Sequence, residues 1–333
     1  MNKNIKVYAI TVMVLGLFLI VPLSSQVRAA SSTVELSYQF SNLANPGADH
    51  YEGWLIVDGK AVSTGSFTVD DQGNLKDLSG NTLTMQTVKD IDMSKVSKYV
   101  LTLEPKDDSD PAPSSIKLLA GNVSDNMASL TPNLGVSLSD ISGGYILATP
   151  SDGSNNNENS GIWYLNPNTG PGASLNLPDL SATNWVYEGW IVINGTAVTT
   201  GKFNSSTGFD SFDGYSGNQS YPPFPGEDFI TNAPTGLSFP TNFAGAKAVI
   251  SIEPRMDNSP EPFQFKPLVA NIPANAVDHH YYMMNDTSNT LASGSVSIKT
   301  KSASTPFEGS FLALFTLIAL STILTSKRRS FKK

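Results

Sequence analysis

The chain has no cysteine, only three histidines and, between its two ends, no long amphipathic helical pattern. Without cysteine there are no disulfides, so a folded body must be held by burial of apolar side chains, for which 333 residues give ample length. His50, His279 and His280 are too few and too unevenly spaced for a zinc site. A nucleophile elbow, a phosphate-binding glycine loop and a metalloprotease helix are missing as well, and nothing calls for a cofactor. Positive charge is scarce. All 29 acidic residues fall between the two apolar end segments, against 13 of the 21 basic ones, which leaves the body near −16. Such a field argues against nucleic acid as a partner and favours solubility.

What the chain does contain is one unit written twice. YEGWLIVDG (51–59) returns 136 residues later as YEGWIVING (187–195), and AVSTGSF (61–67) returns at the same interval as AVTTGKF (197–203). LTLEP (101–105) and IKLLAGNV (116–123) return 149 residues later as ISIEP (250–254) and FKPLVANI (265–272). The second copy therefore holds 13 extra residues, which fall in the run GYSGNQSYPPFPGEDF (214–229). A residue demanded by the fold should recur in both copies, whereas one added for a local task need not. Tyr51/Tyr187, Glu52/Glu188, Trp54/Trp190, Gly65/Gly201, Glu104/Glu253 and Lys117/Lys266 recur, as do two prolines of the following loop. These are expected to be architectural.

The ends speak of export. Lys3 and Lys6, an apolar run and then Val27-Arg28-Ala29 form the three parts of a secretory signal, expected to occupy 1–29. Near the other end, an apolar segment at 310–326 is followed by Lys327, Arg328, Arg329, Lys332 and Lys333, which predicts a membrane-spanning helix with a cytoplasmic tail at 327–333. The body is thus expected outside the cell, tethered to the cytoplasmic membrane through a short stalk at 301–309. TPFEG (305–309) before the apolar segment resembles the C-terminal sorting tags of bacterial and archaeal surface proteins, without their PEP or PGF signature.

Short runs rich in Val, Ile, Tyr, Phe and Thr, punctuated by Gly, Asp, Asn, Ser and Pro, predict an all-β fold of two tandem β-sandwich-like domains, 30–150 and 162–300. The Asn-rich stretch 151–161 is expected to link them. Both faces of 51–57 are largely apolar, which predicts a central strand. Asp58-Gly59 and Asn194-Gly195 are expected to close matching tight hairpins. The order YEGWLI, DG, a Gly-Phe strand end, LTLEP, an Asp/Ser/Pro loop and KLLAG resembles the extracytoplasmic domain of anti-sigma-K factor proteins, over roughly 75 residues of each copy. The resemblance implies a β-rich domain. It does not imply sigma binding, which in that family belongs to a separate cytoplasmic helical region.

Asp107, Asp108 and Asp110 are candidates for calcium, although the second copy keeps only Asp257 from that set, and a solvated turn shaped by Pro111 and Pro113 is the favoured account. Opposite charges at Glu104 and Lys117, and again at Glu253 and Lys266, predict cross-strand ion pairs. Glu52 or Glu188 with Glu104 or Glu253 would suit glycoside hydrolysis, but their duplication favours structure. Tyr215, Tyr221 and Phe224 of the insertion are the binding candidates: rings on a proline-stiffened loop either stack on sugars, anchor a partner protein, or fold back over an open sheet edge. Asn122, Asn194, Asn204, Asn218 and Asn285 begin N-x-Ser/Thr sequons. The expected function is that of a non-enzymatic surface protein for interaction or envelope sensing, or else a carbohydrate-binding module using the aromatic loop.

Overall fold

A computed structural model describes residues 32–168 and 170–301. The expected signal peptide, the stalk beyond Lys301, the membrane helix at 310–326 and the tail lie outside those residues. No helix among the described residues is long and apolar enough to cross a membrane. The described residues form an all-β fold with four short 3-10 turns.

The first copy supplies β1 (Ser32–Ser41), β2 (His50–Val57), β3 (Lys60–Val69), β4 (Leu75–Lys76), β5 (Gln86–Ile91), β6 (Val96–Glu104), β7 (Lys117–Ser124) and β8 (Met127–Pro132). Then come β9 (Gly144–Leu147), β10 (Gly161–Trp163), β11 (Leu165–Asn166), β12 (Gly172–Ala173), β13 (Trp185–Ile193), β14 (Thr196–Phe203) and β15 (Gly226–Asp228). β16 (Lys247–Pro254), β17 (Phe265–Asn271), β18 (Tyr282–Met283), β19 (Asn285–Asp286) and β20 (Ser293–Lys301) complete the chain.

The repeat in sequence is a repeat in topology. β3-β2-β6-β7 lie side by side in that order, and so do β14-β13-β16-β17. Each tryptophan strand is central, paired on both sides. The hairpins after them turn through Asp58 and Gly59, and through Asn194 and Gly195, all four with φ between 51° and 88°, the left-handed geometry such residues tolerate. Both strand pairs then slip by one residue at the same place, between Gly53 and Trp54 and between Gly189 and Trp190. The bulge is held the same way twice: Gly65 N–H donates to Ser63 Oγ at 3.1 Å, and Gly201 N–H to Thr199 Oγ1 at 2.9 Å.

Two connections differ from the sequence expectation. The segment 151–161 is not a linker between copies but the loop that joins β9 to β10, which pair through Ile162 and Leu147 inside the four-stranded sheet β15-β10-β9-β18. Its polar residues satisfy one another: Glu158 accepts the backbone N–H groups of Thr149 and Asn155, and Asn157 donates to Asp152 at 3.0 Å. β20 returns to the first copy and sits between β8 and β1, completing the nine-stranded sheet β4-β3-β2-β6-β7-β8-β20-β1-β5. The boundaries expected near 150 and 300 therefore cut across sheets. One hydrophobic core runs through both copies, from Val34 and Leu36 to Val296 and Ile298.

Register also fixes which end of the first copy is which. Lys301 pairs with Thr33, Met127 pairs with Ser297, and Val57 pairs with Val96. The start of β1, the end of β20 and the hairpins at 58–59 and 125–126 thus share one end. The loops 42–49 and 105–116 lie at the other, against the second copy.

Candidate functional site

The residues kept in both copies form one structural device, built twice. Trp54 Nε1–H donates to Thr102 Oγ1 at 2.8 Å, and Trp190 Nε1–H to Ser251 Oγ at 2.8 Å. Thr102 in turn donates to Glu104, whose Oε1 also accepts the Ser114 backbone N–H at 3.0 Å. Glu253 accepts the Phe263 N–H at 2.8 Å, the same place in the second copy. Both glutamates are buried, Tyr51 and Tyr187 are buried beside them, and the tyrosine hydroxyls tie incoming loops at Ala44 O (2.8 Å) and Pro178 O (2.9 Å). Glu52 accepts from Ser63, and Glu188 accepts from Thr199 at 2.6 Å, across the bulge.

The expected ion pairs do not form. In the β6–β7 register Lys117 stands opposite Thr102, two residues short of Glu104, and its Nζ reaches only Ser114 O at 3.5 Å. Neither Glu104–Lys117 nor Glu253–Lys266 reaches ion-pair distance. The glutamate turns inward because the loop after its strand offers backbone donors, which a buried carboxylate needs more than an exposed ammonium.

Asp107, Asp108 and Asp110 lie in an exposed turn in which Asp108 accepts the Asp110 N–H and Asp110 the Ala112 N–H, both at 3.0 Å. Asp257 accepts the Ser259 N–H at 2.8 Å in the matching loop. These are side-chain turns that shape the backbone. No group of three or more His, Cys, Asp or Glu among the described residues is arranged to hold a metal ion.

The insertion folds back onto the four-stranded sheet. β15 adds itself to the edge of β10, closing that edge. Tyr215 is half-buried among Phe212, Phe229 and Phe239, with ring centroids 4.8 to 5.3 Å apart. Tyr221 lies on Trp163 at 5.2 Å, and Phe224 joins the small apolar cluster of Ile146, Ala148, Trp163 and Leu165. The three rings are therefore largely a cover. They are not brought to one exposed face.

Beside that cover lies a hollow of about 310 Å³ whose lining includes Phe209, Asp210, Asp213, Tyr221 and Phe224. Phe209, 63% exposed, meets the edge of Tyr221 at 5.6 Å. Carboxylates gather there, Asp210 half-buried in the lining and Glu227 and Asp228 buried. Asp210 accepts the N–H groups of Gly226 (2.8 Å) and Phe212 (2.9 Å), yet burial pushes it up to about 7. Glu227 accepts from Ser216 Oγ at 2.7 Å, and its other oxygen has no hydrogen-bond partner among the described residues. Burial, and then the charges of Asp210 and Asp228, push Glu227 up to about 8. Asp228 accepts from Trp163 Nε1 (2.7 Å) and Ser151 N (2.6 Å).

A larger cleft, of about 800 Å³, opens where the copies meet. The first copy contributes 44–46, Asp49, Tyr51, Leu103 and Ile116; the second contributes Trp185 and the loop that follows β16. Gln264 bridges the copies, accepting from Ala44 N and donating to Tyr51 Oη, both at 3.3 Å, while Trp185 Nε1–H donates to Asn133 O at 3.0 Å. Trp185 and Phe263 line one side of it, packed on the buried Phe265, with ring centroids 5.6 to 5.9 Å apart. Sequence reasoning missed this cleft and also Phe209. The available signal was contrast between copies: Trp185 and Phe263 stand where the first copy has Asp49 and Ser114.

Comparison of the chain with protein-family models, with curated proteins and with solved structures returned no match.

Proposed function

We propose that the chain is an exported, non-enzymatic surface protein: two tandem β-sandwich domains of the anti-sigma-K extracytoplasmic type, tethered to the cytoplasmic membrane by the segment 310–326 and used to bind a partner outside the cell. The observation that carries this reading is the pairing of Thr33 with Lys301. The chain enters and leaves the folded body side by side at one end, while the second copy and the 800 Å³ cleft lie toward the other. A body with that layout, followed by an apolar segment and five basic residues, suits display on a tether. The buried, backbone-bonded state of Glu104 and Glu253 supports a structural role for these recurring carboxylates.

The test is fractionation of cells expressing the full chain. The protein should stay with membranes through an alkaline carbonate wash and dissolve in detergent, and a chain ended after Lys301 should appear in the soluble exported fraction. A full chain found soluble, or a shortened chain still held by membranes, overturns the tether.

A second reading, carbohydrate binding, has its own observation: exposed Phe209 and half-exposed Tyr221 flank Asp210 and Asp213 in the hollow of the insertion. Aromatic faces beside carboxylates suit sugar rings and their hydroxyls. Phe209→Ala should abolish glycan binding with folding intact, since Phe209, unlike Tyr221, does not cover Trp163.

A further inference from the structure

Lys266 occupies the same place in the second copy as Lys117 in the first, but not the same surroundings. Lys117 is exposed. Lys266 is half-buried in the lining of the cleft between the copies, and no carboxylate among the described residues lies within ion-pair distance of its Nζ. Its side chain makes no hydrogen bond among those residues, while its carbonyl accepts from Thr287 Oγ1. Burial pushes its pKa down, against the more distant pull of the Glu253 and Glu261 carboxylates, neither of which reaches ion-pair distance.

The walls around it are specific to the second copy. Trp185, Phe263 and Gln264 replace Asp49, Ser114 and Ser115 at matching positions. The architectural residues nearby are unchanged, so the substitutions altered the cleft and left the strands alone. The rim, in contrast, is acidic, with Asp49, Asp257 and Glu261.

We infer that this cleft binds a short peptide by its free C-terminal carboxylate, with that group on Lys266, an apolar terminal side chain against Trp185 and Phe263, and backbone amides toward Gln264. Three features select this class. An ammonium in a partly apolar cleft with no carboxylate at ion-pair distance among the described residues leaves room for an anion. The aromatic wall calls for an apolar group joined to it. The acidic rim repels dianions such as phosphate and favours a ligand whose remainder is neutral or cationic. The cleft's volume lies within the roughly 300–1,000 Å³ typical of small-ligand sites. The inference stands independently of the membrane tether, because it concerns only the described body.

Calorimetric titration of the purified full chain in detergent tests it, with the tripeptide Gly-Gly-Phe, its C-terminal amide and inorganic phosphate as titrants. The free acid should bind saturably. The amide, and the free acid on K266M, should bind at least about tenfold more weakly, the effect of losing a charge-assisted bond of roughly 1.5 kcal/mol or more. K117M should bind like the parent, and phosphate should give no heat of binding. Equal affinity for acid and amide, an unchanged K266M, or no saturable binding up to millimolar peptide overturns the proposal. The acid-against-amide comparison uses the parent protein alone, so it decides the matter even if K266M folds poorly.

Discussion

Glu227 makes the folded protein favour mild acid, and the effect is large enough to measure. Its carboxyl is buried, one oxygen has no hydrogen-bond partner among the described residues, and burial raises its pKa from the ordinary 4.5 to about 8. Between those values the native state holds a proton that the unfolded chain has released. Stability is therefore fully present below about pH 4.5 for this group and is lost as pH rises through about 8. At 1.36 kcal/mol per unit, the cost of ionising Glu227 in the fold approaches roughly 5 kcal/mol as an upper bound. Asp210, pushed up to about 7, acts in the same direction, but the two charges interact and titrate together, so their costs do not add. Asp70, Asp77, Asp92 and Asp179 are held below the usual range by turn hydrogen bonds and act oppositely, but only below about pH 4. The assay is urea denaturation followed by tryptophan fluorescence, between about pH 5 and pH 9. The parent should lose several kcal/mol across that range. Glu227→Gln, which mimics the protonated acid, should lose about 3 kcal/mol less and be the more stable protein at the alkaline end. Parallel profiles for parent and variant, or a parent more stable at pH 9, would refute the reasoning.

Three further outcomes test the duplicated device. A Cβ added at Gly53 would stand 2.0 Å from Tyr99 Oη and 2.4 Å from Thr64 Oγ1, so Gly53→Ala should cost about 3 kcal/mol or more, with partial recovery on adding Tyr99→Phe, measured by thermal denaturation. Glu253→Ala strips the Phe263 N–H of its acceptor and should cost about 1–3 kcal/mol, whereas Lys117→Ala, at an exposed position, should stay within about 0.5 kcal/mol. Trp54→Phe and Trp190→Phe remove equivalent 2.8 Å hydrogen bonds and should destabilise by similar amounts, about 1–2 kcal/mol each; a difference several times larger would contradict their equivalence.

Local chemistry made part of this legible in advance. Asp58-Gly59 and Asn194-Gly195 announce hairpins because few other pairs accept positive φ at both positions, and an apolar pattern on both faces of 51–57 marks a strand flanked on both sides. Non-local pairing left no such mark. SGSVSIKTK, now β20, alternates like many half-exposed strands, and nothing within it names β1 as its neighbour. The Asn-rich stretch 151–161 has the composition of a linker, yet the same polar side chains serve to bond one another within a loop. Glu104 and Lys117 suggested a pair because opposite charges on adjacent strands attract. A register in which Lys117 faces Thr102 leaves Glu104 nearer the donors of its own loop.

The copies also show that what is kept is a contact and not always a residue. Gly53 and Gly189 are both pressed by a threonine hydroxyl and a tyrosine: Thr64 with Tyr99 in the first copy, Thr200 with Tyr164 in the second. Yet the two tyrosines come from different elements. Tyr99 stands on β6, the neighbour of the tryptophan strand, opposite Leu55, whereas at the matching place on β16, opposite Ile191, the second copy has Ala248. The missing ring is supplied by Tyr164, which follows β10 in the facing sheet. A volume lost from one strand has been restored from across the core, as close packing requires. The cleft follows the opposite logic. Trp185 and Phe263 put large rings where the first copy has Asp49 and Ser114. Compensated change marks the shared fold, and the enlarged side chains gathered near Lys266 mark the place where the second copy acquired a surface of its own.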